Sequence, residues 1–108
     1  MSFSIRVGKV GVDVGDHVIY CGRPGNGEVG QFGNQFAIGR DGTRDEVIAR
    51  HRVWFNAPEQ HELRGELLRA AERKIRNGHA TIVLACFCSP KSCHCDTMVR
   101  WLRNVIEE

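Results

Sequence analysis

The stretch Thr81-Ile-Val-Leu-Ala-Cys-Phe-Cys-Ser-Pro-Lys-Ser-Cys-His-Cys95 changes character halfway along. Its first half is β-branched and apolar on both sides, the composition of a strand covered by helices on both faces. Its second half holds four cysteines and a histidine. Cys86 and Cys88 stand two apart, so a continuing strand would point both to one face. Pro90 ends the ladder, because it has no N–H to donate. Ser92 reads as an N-cap, with a helix from Cys93 to about Ile106. Ligands of open α/β sheets bind beyond the carboxyl ends of strands, beside helix N-termini. This order of strand, proline turn and helix start therefore decides the fold class and the place of a site.

Working outward, residues Phe3 to Val14 carry alternating valines broken by Gly8 and Gly11, which predicts one or two short strands with a turn. A second strand is expected over His17 to Cys21. Seven glycines fall between Gly22 and Gly42. So long a loop is uncommon in a small domain. Phe32 and Phe36 argue that it folds, with a short strand near Phe36 to Ile38. Glycines there would let the backbone approach a ligand closely. Thr43-Arg-Asp-Glu46 has the spacing of a capping box. The helix it opens carries Val47, Ile48, His51, Trp54 and Phe55 as a core stripe. Pro58 opens a second helix with Leu63, Leu67, Ala71 and Ile75 on its buried side, closed by Asn77-Gly78. Its arginines and glutamates read as a solvated face. The chain at 1–108 is thus expected to be one α/β domain, with a mixed sheet of about four strands and three helices.

Composition excludes several classes. The formal net charge of +2 is too small to imply nucleic-acid or membrane binding. No run is long or apolar enough to span a bilayer. The first residues lack the order of a signal peptide, so a cytoplasmic protein is expected. In that compartment cysteines are more often ligands, nucleophiles or core residues than disulfide partners. Five is also an odd number, which rules out a complete internal set of disulfides.

Three chemistries fit the cluster. Cys86, Cys88, Cys93 and His94 offer thiolate and imidazole ligands to a metal, zinc first. Alternatively, Cys93 in the first turn of a helix, beside His94, could be a thiolate of lowered pKa. Or the thiols are small hydrophobes in a buried strand, as Cys21 is taken to be. The metal is narrowly favoured, because two cysteines on one strand face chelate well.

Tyr20-Cys-Gly-Arg23, Phe32-Gly-Asn-Gln-Phe36, Thr43-Arg-Asp-Glu46, Leu84-Ala-Cys-Phe-Cys88 and Cys93-His-Cys-Asp96 together resemble an uncharacterised family of bacteriophage and bacterial proteins, domain of unknown function 4326. Its pattern has Pro where this chain has Gln35 and Gly where it has Cys95. The resemblance therefore implies a shared set of Cys86, Cys88, Cys93, His94 and Asp96. A phage setting implies nucleotide or DNA-base metabolism by association.

Two functions follow as expectations. One is a small protein that binds or acts on an anionic molecule such as a nucleotide. Arg23 and Arg44 would hold its charge, Gly33, Asn34 and Phe36 would form the binding loop, and Cys93, His94 and Asp96 would be the catalytic groups. The other is a non-catalytic interaction module tied together by a structural zinc site.

Overall fold

The computed structural model describes residues 3–25, 27–88 and 91–106. In chain order it has β1 (Ser4–Lys9), β2 (Val18–Tyr20), α1 (Arg44–Asn56), a 3-10 turn (Pro58–Gln60), α2 (His61–Arg76), β3 (Thr81–Cys86) and α3 (Cys95–Ile106). The α/β class and the three helices agree with the sequence. The sheet differs: it has three strands among the described residues, ordered β1-β3-β2, and both pairings are parallel.

Two segments account for the missing strands. After Lys9 the chain folds back at Gly11, whose φ is 87°. The N–H groups of Val12 and Asp13 return to the Lys9 carbonyl at 3.1 and 2.9 Å, leaving only an isolated bridge from Val10 to Asp13. Around Phe36 the backbone is satisfied by side chains. Asn34 Oδ1 accepts from the Phe36 N–H at 2.9 Å, Arg23 donates to the Phe36 carbonyl at 3.3 Å, and Asp41 accepts from the Ala37 N–H at 2.8 Å. A backbone so occupied needs no neighbouring strand.

β3 is the central strand, and Ile82 to Cys86 are buried. The register sets Ile5 opposite Ile82, and both Val7 and Ile19 opposite Leu84. With strand alternation, these residues and Cys86 share one face. Phe55 of α1, Leu67 and Ala71 of α2, and Met98, Val99 and Leu102 of α3 pack on that face. Each such Leu or Phe contributes about 1.5–3 kcal/mol through burial. The fold is therefore two-layered, with the helices on one face instead of the both-sided cover the apolar run suggested. On the other face Asp13 takes Arg6 Nη2 at 2.8 Å and the Lys9 N–H at 2.9 Å. Gly8 is required beneath it: a Cβ there would lie 2.4 Å from Val83 Cγ1 and 2.5 Å from Asp13 Oδ2.

Local signals set the helix ends. The capping box at Thr43 forms, with the Thr43 hydroxyl and the Glu46 carboxylate each accepting the other's backbone N–H. Arg64 Nη1 closes the far end of α1 by donating to the Phe55 and Ala57 carbonyls at 2.5 and 2.8 Å. α3 begins at Cys95, two residues later than expected, and the group that reaches back is Asp96, whose Oδ2 accepts the Cys93 N–H at 3.2 Å. The reading of Pro90 as a strand stop lies outside the described residues. No helix among the described residues is long and apolar enough to cross a membrane.

Candidate functional site

β2 and β3 are parallel, so Tyr20 and Cys86 end them on the same edge of the sheet. A cleft of about 460 Å³ opens there. Its walls are the start of the glycine loop (Gly22 to Gly25), the returning loop at Asn34 to Ile38, the first turn of α1 at Arg44 and Val47, and the segment leading into α3. Cys86, Cys88, Cys93 and His94 line it together, as do Arg23, Asn34, Phe36 and Arg44. Eight of the residues singled out in the sequence thus line one cleft. Gly33 lines a neighbouring hollow with Gln31 and Trp54, and Asp96 is exposed at the helix start.

Their roles differ from the simplest expectation. Arg23 donates from Nε to the Asn34 carbonyl at 3.1 Å and from Nη2 to the Phe36 carbonyl, pinning the returning loop. Asn34 Nδ2 donates to the Val47 carbonyl at 3.2 Å, and its Oδ1 holds the Phe36 N–H, so this amide ties loop to helix. Arg44 Nη1 donates to the Ser92 carbonyl at 3.1 Å, joining α1 to the segment before α3. A guanidinium has five N–H donors, so these bonds leave several on each arginine for a bound anion. Gly33 serves the chain itself: a Cβ there would stand 2.6 Å from the Gly22 carbonyl oxygen.

His94 is a fastening. Its Nε2 lies 2.8 Å from the Cys21 carbonyl and 2.9 Å from the Phe32 carbonyl. Both partners only accept, so Nε2 carries the proton and donates. The two carbonyls belong to the beginning and the middle of the glycine loop. Burial holds the His94 pKa below its ordinary value, which favours the neutral ring. Nδ1 then keeps its lone pair.

The thiols meet at the inner wall of the cleft. The Sγ atoms of Cys86, Cys93 and Cys95 lie within 4.8 Å of one another, all buried, a group that could hold a metal ion. Cys86 and Cys93 approach to 3.0 Å. Cys88 falls outside the group, because β3 ends at Cys86 and strand alternation does not carry on to it. Cys95 falls inside it, contrary to the inference drawn from the family pattern. The thiolate route for Cys93 loses its helix turn and meets a raised pKa. Cys93 precedes α3, and its pKa is pushed up to about 12, first by the thiol of Cys86 and further by burial. Cys95 is held well above its ordinary value by contacts with the thiols of Cys21, Cys86 and Cys93, then by burial.

Two participants escaped the sequence reading. Cys21 follows β2, and its N–H donates to the Ala85 carbonyl at 2.8 Å, which sets it beside Cys86 on the helix side of the sheet. The parallel pairing of the strands ending at Tyr20 and Cys86 was the signal that could have found it. His51, expected only as core, stacks on Phe55 and meets the His94 ring edge-on at 4.9 Å. Its Nδ1 is buried and has no hydrogen-bond partner among the described residues. Burial pushes its pKa down to about 3.

Comparison with known proteins gives one finding. No curated protein and no solved structure matches the chain. The family model described as Domain of unknown function (DUF4326) matches residues 6–104, nearly the whole chain, and the protein belongs to that family.

Proposed function

We propose that the cleft binds a small anionic molecule of the nucleotide class, and that the domain acts by binding rather than by nucleophilic catalysis. The observation that carries this reading is the presence of Arg23 and Arg44 in one cleft with the aromatic rings of Tyr20, Phe36 and Phe87. Guanidinium groups recognise phosphate or carboxylate, and the aromatic faces suit a base. The volume falls within the usual range of small-molecule sites, roughly 300–1,000 Å³. The cleft also stands at the carboxyl edge of a parallel sheet and at the first turn of α1, where backbone N–H groups favour anions. Phe87 is 60% exposed and edge-on to Tyr20 at 6.3 Å, a ring left open for a partner. The raised Cys93 thiol and the neutral, fastened His94 argue against a charged catalytic pair. A nucleotide at about 100 times its dissociation constant stabilises the native state by about 2.7 kcal/mol. Thermal melting with nucleoside mono-, di- and triphosphates, the matching nucleosides and inorganic phosphate tests the proposal. A rise with phosphorylated nucleosides alone supports it. A flat response to all of them at millimolar concentration removes it.

A further inference from the structure

We infer that Cys21, Cys86, Cys93 and Cys95 form a closed four-thiolate site for a soft divalent cation, zinc before others, in the inner wall of the cleft. Three of the four are already gathered, with their sulfurs within 4.8 Å of one another. Tetrahedral zinc with Zn–S bonds of about 2.3 Å sets its sulfurs about 3.8 Å apart, so a small adjustment seats an ion among them. The fourth ligand follows from the sheet. Ile19 stands opposite Leu84 and Tyr20 opposite Ala85. One step on, Cys21 faces the same side as Cys86. It lies with Cys86, Cys93 and Cys95 in one buried core cluster. Its Sγ donates to the Ile19 carbonyl at 3.6 Å, a long bond from a weak donor that an ion would readily replace. All four thiols are no more than 3% exposed.

The ion would join the end of β2, the end of β3 and the start of α3. Four protein ligands leave no open position, so its role is structural and it does not compete with a ligand in the cleft. Binding displaces the thiol protons to solvent and adds its free energy to folding. His94 stays outside the coordination sphere, because neither of its ring nitrogens is among the gathered ligand atoms. Cys88 stays outside as well. The ligand set is therefore distinguishable from one built on Cys86, Cys88, Cys93 and His94.

The test uses the full chain, reduced and stripped of metal, then titrated with Zn²⁺ and separately with Co²⁺. We expect one Zn²⁺ per chain by elemental analysis. Co²⁺ should give visible bands of a tetrahedral ion and thiolate charge-transfer absorption with the intensity of four thiolates. Loss of an outer-shell partner costs metal affinity roughly 10–100-fold, and loss of a direct ligand should cost at least that. Cys21→Ser should therefore weaken Zn²⁺ by more than about tenfold, and Cys88→Ser should leave it unchanged. The cobalt spectrum of the unaltered chain needs no variant to fold, so it decides the ligand count if Cys21→Ser does not. Failure to retain Zn²⁺ or Co²⁺ overturns the site. So does a spectrum of two thiolates with nitrogen, or equal losses from Cys88→Ser and Cys86→Ser. A metal-free chain lighter by a pair of hydrogens would assign Cys86 and Cys93 to a disulfide and overturn it equally.

Discussion

At the scale of single residues, His51 carries the sharpest consequence of burial. It is 1% exposed, and its Nδ1 finds no partner among the described residues. Its native pKa of about 3 lies below the ordinary 6.5 of an unfolded chain. Between these values the unfolded state holds a proton that the native state refuses. The stability it permits is therefore complete above about pH 6.5 and is lost as pH falls, by about 1.4 kcal/mol per unit from this group. His94, also lowered by burial, acts in the same direction. His51→Phe keeps the stack on Phe55 and removes the titration. Urea unfolding at several pH values should show a slope below pH 6.5 reduced by one proton relative to the unaltered protein. An unchanged slope would mean that His51 is not the neutral, buried ring described here. His94→Ala is expected to loosen the glycine loop, because it removes the donor shared by the Cys21 and Phe32 carbonyls. Leaving those buried acceptors unmet should cost about 1–3 kcal/mol. Faster amide exchange should appear across residues 22–36, and a melting temperature equal to the original would refute the fastening role.

At the scale of elements, the helices were legible and part of the sheet was not. Thr43-Arg-Asp-Glu46 announced α1 because a capping box is a purely local signal, and the box is formed. Thr43→Ala should cost about 1 kcal/mol, read from chemical denaturation; no loss would make the box incidental. Phe36 to Ile38 had strand composition but is not a strand. What decided against it was side-chain capture of its backbone: Asn34 and Asp41 nearby take the Phe36 and Ala37 N–H groups, and Arg23 from further off takes the Phe36 carbonyl, none of which strand composition reveals. Cys88 lines the cleft but stays out of the close thiol group, since alternation holds only while the strand lasts and β3 stops at Cys86. Gly33 was expected to let the backbone approach a ligand; the close approach seen there is to the Gly22–Arg23 backbone. Gly33→Ala should therefore destabilise by about 1–3 kcal/mol, as overpacking does, with or without any ligand present. A neutral substitution would show that the loop has more slack than these distances allow.

At the scale of the whole molecule, the parallel sheet with its order β1-β3-β2 collects distant parts of the chain at one edge. Arg23, Arg44 and Cys86 belong to three separate motifs, yet they line one cleft. The sequence revealed that gathering because each motif sits at the end of an element, and parallel strands bring their ends together. It did not reveal the division of labour, in which side chains expected to touch a ligand also hold the loop and the helix starts in place. Arg44 is the clearest case, with one bond to the Ser92 carbonyl and its remaining donors on the cleft. The most direct test of the account is titration calorimetry with one nucleotide and its unphosphorylated nucleoside, on the unaltered protein and on Arg44→Ala. A charge-assisted hydrogen bond is worth about 2 kcal/mol, so the unaltered protein should prefer the nucleotide by roughly thirtyfold. In Arg44→Ala that preference should shrink several-fold, with Arg23 supplying the remainder, while the melting temperature stays within a few degrees. Equal affinity of the unaltered protein for nucleotide and nucleoside, or a preference undiminished in Arg44→Ala, would contradict the assignment of this cleft, through Arg44, to an anionic ligand.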